Sequence, residues 1–201
     1  MKKTKKNFTL VELLCAVGLV VILAGIGFSA YSYASHRGKE AATRSLITRL
    51  EAGLETLKTK HGFYPSSASS SYSNIGVSIN STTGLVEQIS FGGRDIPQNT
   101  SSPTAAEKKQ LKDFLSVVDG ENLKKYVSAS SGTGTVTDAW GGNIQYQYPG
   151  VVNTVKFDII APGADEYFGK AGTSTSPCAS LADYKDNDEW ACDDIANFDK
   201  L

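Results

Sequence analysis

Between Leu13 and Phe28 the chain carries no charged or strongly polar side chain, and one carboxylate, Glu12, stands at the start of this run. With its Ser- and Tyr-dotted continuation to Ala34 the stretch spans roughly 33 Å as a helix, about the thickness of a bilayer's hydrocarbon core. Such a run constrains everything else, because it predicts a membrane-crossing helix. Lys2, Lys3, Lys5 and Lys6 precede it, and the positive-inside bias then puts this end in the cytoplasm and residues after 34 outside. A secretory signal is the competing address, since Ser32-Tyr33-Ala34 offers a small-x-small cleavage site. Signal h-regions are shorter, about 15 residues at most, and this one would hold an acid near its start.

An ionised carboxylate within hydrocarbon costs about 3 kcal/mol, so Glu12 either snorkels at the headgroup boundary or has a partner. Cys15, inside the run, reads as a small apolar residue. Beyond the membrane Leu46, Ile47, Leu50, Leu54 and Leu57 recur at three- and four-residue steps, with Glu40, Arg44, Arg49, Glu51, Glu55 and Lys58 on other faces. One long helix over about 13–60 is expected, apolar all round in its first half and striped in its second. Glu40 and Arg44 are ordered for an i,i+4 pair. Gly62 should end the helix and Pro65 prevent its resumption.

The 201 residues leave about 165 outside the membrane, enough for one core and not for two. Formal net charge is −1, but Lys and Arg dominate up to residue 60, while Asp183, Asp186, Asp188, Glu189, Asp193, Asp194 and Asp199 crowd the other end. A nucleic-acid surface needs a basic field, so none is expected there, and an acidic loop favours a cation. Residues 66–102, rich in Ser, Thr, Asn and Gly, read as a long surface loop, with short strands at Val77–Ile79 and Val86–Phe91. A helix is expected from Pro103 to about Val118. Pro103 suits a first turn, and Thr104-Ala105-Ala106-Glu107 has the pattern of a capping box. Asp119-Gly120 should end it before a further helical turn holding Leu123 and Tyr126. The Gly132/Gly134 run reads as an ordinary loop. In Asp138-Ala139-Trp140-Gly141-Gly142, Trp140 would cover the core edge while the glycines turn the chain. Ile144, Tyr146 and Tyr148 then alternate with Gln145 and Gln147 as a half-buried strand, with Val155–Ile159 as its antiparallel partner.

The Lys-rich leader followed by Phe8-Thr9-Leu10-Val11-Glu12 resembles the N-terminus of type IV pilins and of the major pseudopilins of type II secretion systems. His61-Gly62-Phe63-Tyr64-Pro65 is similar to that family's exit from its long helix, where the tyrosine packs back. The Asp138–Tyr148 segment resembles its Asp-Pro-Trp-Gly-Asn-x-Tyr-x-Tyr run, with an insertion at Gly142. The likeness covers about residues 2–65 and 136–199. It implies an α+β pilin-like fold, a long membrane-spanning N-terminal helix packed on a small antiparallel sheet with a calcium-type C-terminal loop. Residues 1–7 would be a leader, 8–34 the membrane and assembly half of the helix, and 35–201 the extracytoplasmic domain. It implies cleavage between Asn7 and Phe8 by a prepilin peptidase, although Asn7 stands where the family has Gly. The Glu12 carboxylate would then neutralise the new ammonium of Phe8 on a neighbouring subunit, two buried charges becoming one pair.

Ala161-Pro162-Gly163-Ala164-Asp165 and Asp193-Asp194-Ile195-Ala196-Asn197-Phe198 resemble the two segments with which the family binds Ca²⁺. The likeness implies Asp165, Asp193 and Asp194 as ligands and Pro162 as a carbonyl donor, and Ca²⁺ indeed takes hard oxygen ligands of these kinds. Asp186 and Asp188 are candidates for which the family does not vouch. Cys178 and Cys192 lie in an insertion absent from the family pattern. Outside the cytoplasm they can form a disulfide, and closing that loop would add about 3 kcal/mol in the chain-entropy model. No nucleophile, histidine and acid set is brought together and no phosphate loop exists, so an enzyme is not expected. The expected function is a structural subunit that polymerises into a type II secretion pseudopilus. It would sit in the inner membrane with its domain in the periplasm, alongside an assembly platform and minor pseudopilins. The alternatives are a type IV pilus subunit, for adhesion, motility or DNA uptake, and a monomeric membrane-anchored binding module.

Overall fold

The computed structural model of the chain describes residues 10–67, 72–98, 100–165, 168 and 195–197. A single helix, α1, runs from Leu10 to His61. The chain forms two compact units, one up to Gly38 and the other from Lys39 onward. In the first, the described side chains of α1 are exposed, Leu10 at 75%, Leu23 at 68% and Phe28 at 76%. In the second the same helix shows one face: Leu46, Ile47, Leu50, Leu54 and Leu57 are buried. Each such side chain contributes about 1.5–3 kcal/mol through burial. On the open side Arg44 reaches Glu40 at 3.1 Å, the expected i,i+4 pair. Gly62 terminates the helix at φ +83, its N–H donating to the Lys58 carbonyl. Tyr64 then folds back, its hydroxyl donating to Glu55 at 2.9 Å and its ring lying 5.4 Å from the Lys58 ammonium.

Two four-stranded antiparallel sheets complete the second unit. One is built from β1 (Ser73–Asn74), β6 (Gln145–Gln147), β7 (Asp158–Ala161) and β8 (Ile195–Ala196), in that order. The other has the order β4 (Asp95–Ile96), β3 (Val86–Ser90), β2 (Gly76–Ile79), β5 (Gly132–Thr135). Backbone bonds from Ile75 N–H to Ile144 O, Val136 N–H to Ile75 O and Ile144 N–H to Val136 O tie the sheets together. The α1 stripe, both sheets and helix α2 (Ala105–Val118) close over one core in which Tyr146 packs edge-on against Phe91 and Phe91 against Phe114.

Helix α2 starts two residues beyond the proline reading. Thr104 is the N-cap, its hydroxyl accepting the Glu107 N–H while the Glu107 carboxylate accepts the Thr104 N–H at 2.8 Å. Pro103 therefore precedes the cap and does not occupy the first turn. Asp119, at φ +65, ends α2 and caps the four-residue helix α3 (Gly120–Leu123), which passes into a 3₁₀ turn over Lys124–Tyr126. Gly53 lets α2 approach α1: a Cβ there would lie 2.6 Å from Val118 Cγ2 and 2.8 Å from Phe114 Cε2.

Four expectations need correction. The glycine run Gly132–Thr135 is strand β5, hydrogen-bonded along β2 from Gly76↔Thr135 to Ile79↔Gly132. It lacks an apolar alternation because its neighbours come too close, a Cβ at Gly134 lying 2.8 Å from Val127 Cγ1. The partner of β6 is Asp158–Ala161, with Tyr146 opposite Ile159, and Val155 is 86% exposed in the preceding turn. Strand β6 is also covered on both faces, Gln145 and Gln147 being buried with Tyr146. In the segment 66–102 the strands expected at Val77–Ile79 and Val86–Phe91 are β2 and β3, but Ile96, in the part read as surface loop, also enters the core from β4.

Candidate functional site

The sequence motifs meet at a corner where α1, the turn after β5 and the end of β7 converge. Thr43 is fully buried on α1, and its hydroxyl oxygen accepts the N–H of Ala139 at 3.1 Å. The next backbone N–H groups, of Trp140, Gly141 and Gly142, all point at Asp138 Oδ1, each at 2.9 Å. Asp138 Oδ2 accepts a fourth, from Gly163, at 3.1 Å. One buried carboxylate thus fastens the Trp-Gly-Gly turn to the segment that leaves β7. Burial lifts its proton affinity above the ordinary aspartate value, while the N–H groups of Trp140, Gly142, Gly141 and Gly163 pull the other way. Gly142 is fixed by the same contact, since a Cβ there would fall 2.3 Å from Pro162 Cγ.

Pro162 is buried at this corner, and Gly163–Asp165 form a short 3₁₀ turn directly after β7. Strand β8 runs antiparallel to β7, pairing Ile160 with Ala196 and Ala161 with Ile195. The ladder therefore sets the start of 162–165 beside Ile195, the residue that follows Asp193-Asp194 in sequence. Asn197 secures that register. Its N–H donates to the Ile159 carbonyl, its side-chain oxygen accepts the Ile159 N–H at 2.8 Å, and its amide donates to the Phe157 carbonyl at 3.2 Å.

The donor chemistry of 162–165 and 193–194 fits a hard cation, being carbonyl and carboxylate oxygen without thiol or imidazole. Asp138 is not among the donors for such an ion, because four N–H groups already occupy its two oxygens. Among the described residues no group of three or more His, Cys, Asp or Glu is close enough to hold a metal. The side chain of Asp165, and Asp193, Asp194, Asp186 and Asp188 entirely, lie outside the described residues, as do Cys178 and Cys192. Asn7 and Phe8 also lie outside them. Glu12 is in the first turn of α1 and exposed, where a carboxylate complements the helix dipole. Cys15 is a free, exposed thiol.

The sequence reading passed over three residues that build this region, Asp138, Asn197 and Asp158. The last is fully buried and accepts the Tyr72 hydroxyl at 3.0 Å together with the N–H groups of Val152 and Asn153. An aspartate three residues before a Gly-Gly pair is the signal for the first, since Asx side chains bond to backbone two residues on.

No protein-family model, no curated protein and no solved structure matches the chain. The architecture itself is α+β, a 52-residue N-terminal apolar helix on antiparallel sheets, consistent with a pilin-like fold. The described residues include one helix, α1, long and apolar enough to cross a membrane.

Proposed function

We propose that this chain is a structural subunit that polymerises into the pseudopilus of a type II secretion system. The observation that carries the reading is the division of α1: side chains exposed all round in its first unit, and a buried stripe tied to a folded domain in its second. A helix apolar on every side needs an apolar surrounding, supplied first by lipid and then by equivalent helices of other subunits. Glu12, in the first turn, would pair with the ammonium of Phe8 on a neighbour once a prepilin peptidase has cut after Asn7. The inner-membrane assembly platform and minor pseudopilins are the partners this route requires.

Calcium would be held by the Pro162 carbonyl with Asp165, Asp193 and Asp194. The β7–β8 register supports this by pairing Ala161 with Ile195, the residues next in sequence to Pro162 and to Asp194. A Cys178–Cys192 disulfide would close the loop before β8.

Mass spectrometry of the membrane-extracted protein tests the processing, with an N-terminus at Phe8 expected. An N-terminus at Ser35 would remove the membrane-filament reading. Imaging of labelled native protein tests the assembly: short periplasmic filaments are expected. Long surface fibres would instead assign the chain to a type IV pilus, and absence of both would leave a monomeric binding module.

A further inference from the structure

Where the apolar run of α1 gives out, the helix changes what it presents. Tyr31 and Tyr33 are 73% and 66% exposed, and at about 100° per residue they lie roughly 200° apart around the axis. One turn on, Arg37 folds back over Tyr33. Its Nε donates to the Tyr33 hydroxyl at 3.3 Å, and its guanidinium carbon lies 5.5 Å from the ring centre. Rings on opposite sides of a helix, each with a polar tip, fit surroundings that pass from apolar to wet in every direction. A protein partner would occupy one side only.

The spacing from Glu12 places this band in the bilayer. At 1.5 Å per residue Tyr31 and Tyr33 stand about 29 and about 32 Å along the axis from it, and the hydrocarbon core is about 30 Å thick. With Glu12 at one headgroup boundary, hydrated and ionised, the two tyrosines are at the other. Lipid phosphates lie just beyond, at the level of Arg37. From Arg37 to Arg44 the chain carries Arg37, Lys39 and Arg44 against Glu40 alone, and Glu40 is already held by Arg44 at 3.1 Å. The band is therefore cationic, and a guanidinium matches a phosphate through paired N–H donors.

We propose that Tyr31, Tyr33 and Arg37 form a collar that binds the headgroups of anionic glycerophospholipids, an inference that rests on the membrane-spanning reading of α1. Tyr33 holds the guanidinium at the height of the phosphates, and the two rings seat in the boundary on both sides of the helix. The collar sets the depth of the unassembled subunit. While it is engaged, the Glu12 carboxylate stays at the opposite boundary. Outward movement of the helix draws Glu12 into hydrocarbon, where the Phe8 ammonium of a neighbour is the partner that keeps its charge paired.

The full-length chain, reconstituted in vesicles of equal parts phosphatidylglycerol and phosphatidylcholine with the same acyl chains, tests it. A photoreactive residue at Ser35, one turn from Tyr31, should capture lipid. Mass spectrometry of the adducts should count phosphatidylglycerol over phosphatidylcholine by about five to one, the preference that one basic residue at an anionic surface supports. Arg37→Gln should lower that ratio by about threefold or more, with the helix kept because glutamine is a good helix former. A ratio near one with Arg37 in place, or a ratio that Arg37→Gln leaves unchanged, would overturn the collar. So would lipid adducts from a photoreactive residue at Leu19 with none from Ser35, and the membrane reading would then stand. If neither position captures lipid, both readings fail.

Discussion

The two halves of α1 obey the same helical geometry and meet opposite surroundings. From Leu46 to Leu57 the apolar positions keep to one stripe, because one side faces a protein core and the other faces water. From Leu10 to Phe28 they occupy every side, and the described side chains there are exposed. The difference teaches that a stripe reports a protein partner on one side, whereas its loss in a still-apolar helix reports surroundings that are apolar on all sides. The acid in each half follows the same logic. Glu55 meets Lys156 at 2.9 Å and the Tyr64 hydroxyl at the rim of the core, and the Lys156 hydrogen bond outweighs desolvation to hold its carboxyl below the ordinary glutamate value. For Glu12 the proposed partner is the Phe8 ammonium of a neighbouring subunit.

The strongest way to break this contrast is Glu12→Ala. It should lower filament yield by about tenfold or more, because the Phe8 ammonium of the neighbour would be buried unpaired, while near-UV circular dichroism of the domain stays unchanged. Equal yield of crosslinked ladders would remove Glu12 from assembly. Leucines sharpen the same contrast within one side-chain type. Leu50→Ala should destabilise the domain by about 2–5 kcal/mol, whereas Leu23→Ala should leave its denaturant midpoint where it was. A domain that responds equally to both would mean that the first half of α1 also belongs to the core.

These boundaries were largely legible in the chain. The 3.6-residue stripe from Leu46 to Leu57, the Gly62 stop and the Thr104–Glu107 box are local signals, and each produced its element within a few residues. Strand β5 was not legible, because Gly132 and Gly134 are chosen by what passes over them and not by a face they bury. Nor was the Val155 turn: Asp158 bonds the backbone of Val152 and Asn153, which turns an alternating run into a loop before the strand begins. At the corner where β7 ends both motifs could be read, but the brace that fastens Asp138 to the segment after β7 could not. Asp138 acts through the N–H of Gly163, a residue 25 positions away.

That brace supplies the next prediction. Asp138→Ala should cost about 3 kcal/mol by stranding buried N–H groups. With the carboxyl's affinity for its proton raised by burial, its contribution to stability declines as pH rises through the interval above the ordinary aspartate value. Asp138→Asn should remove that dependence, which thermal melts across the acid range would show. Calcium comes next. Full-length protein in detergent should gain about 2.7 kcal/mol when free Ca²⁺ is a hundredfold above its dissociation constant. Asp193→Ala with Asp194→Ala should abolish the gain, and melts that are identical with calcium and with chelator would sink the ligand assignment. The smallest effect belongs to Glu107, whose carboxyl is held below its usual value of 4.5 by the Thr104 hydroxyl and then the Thr104 N–H. Its contribution is complete above that value and is lost as pH falls through the depressed one. Glu107→Gln should therefore flatten the acid limb of melting temperature below about pH 4.5.

The position of β8 in chain order has a consequence for biogenesis. The Leu46–Leu57 stripe is synthesised early, but the sheet that covers it gains its outer strand, and the Asn197 bonds that hold Phe157 and Ile159, only when residues 195–197 have emerged. Until then a nascent chain carries that sheet without its outer strand. Long-range closure of this kind is slow, and it leaves the intermediate prone to aggregation. Holding factors at the point of insertion should therefore matter more for this protein than its modest size suggests, and a nascent chain that stalls before Ile195 should be handled as unfolded.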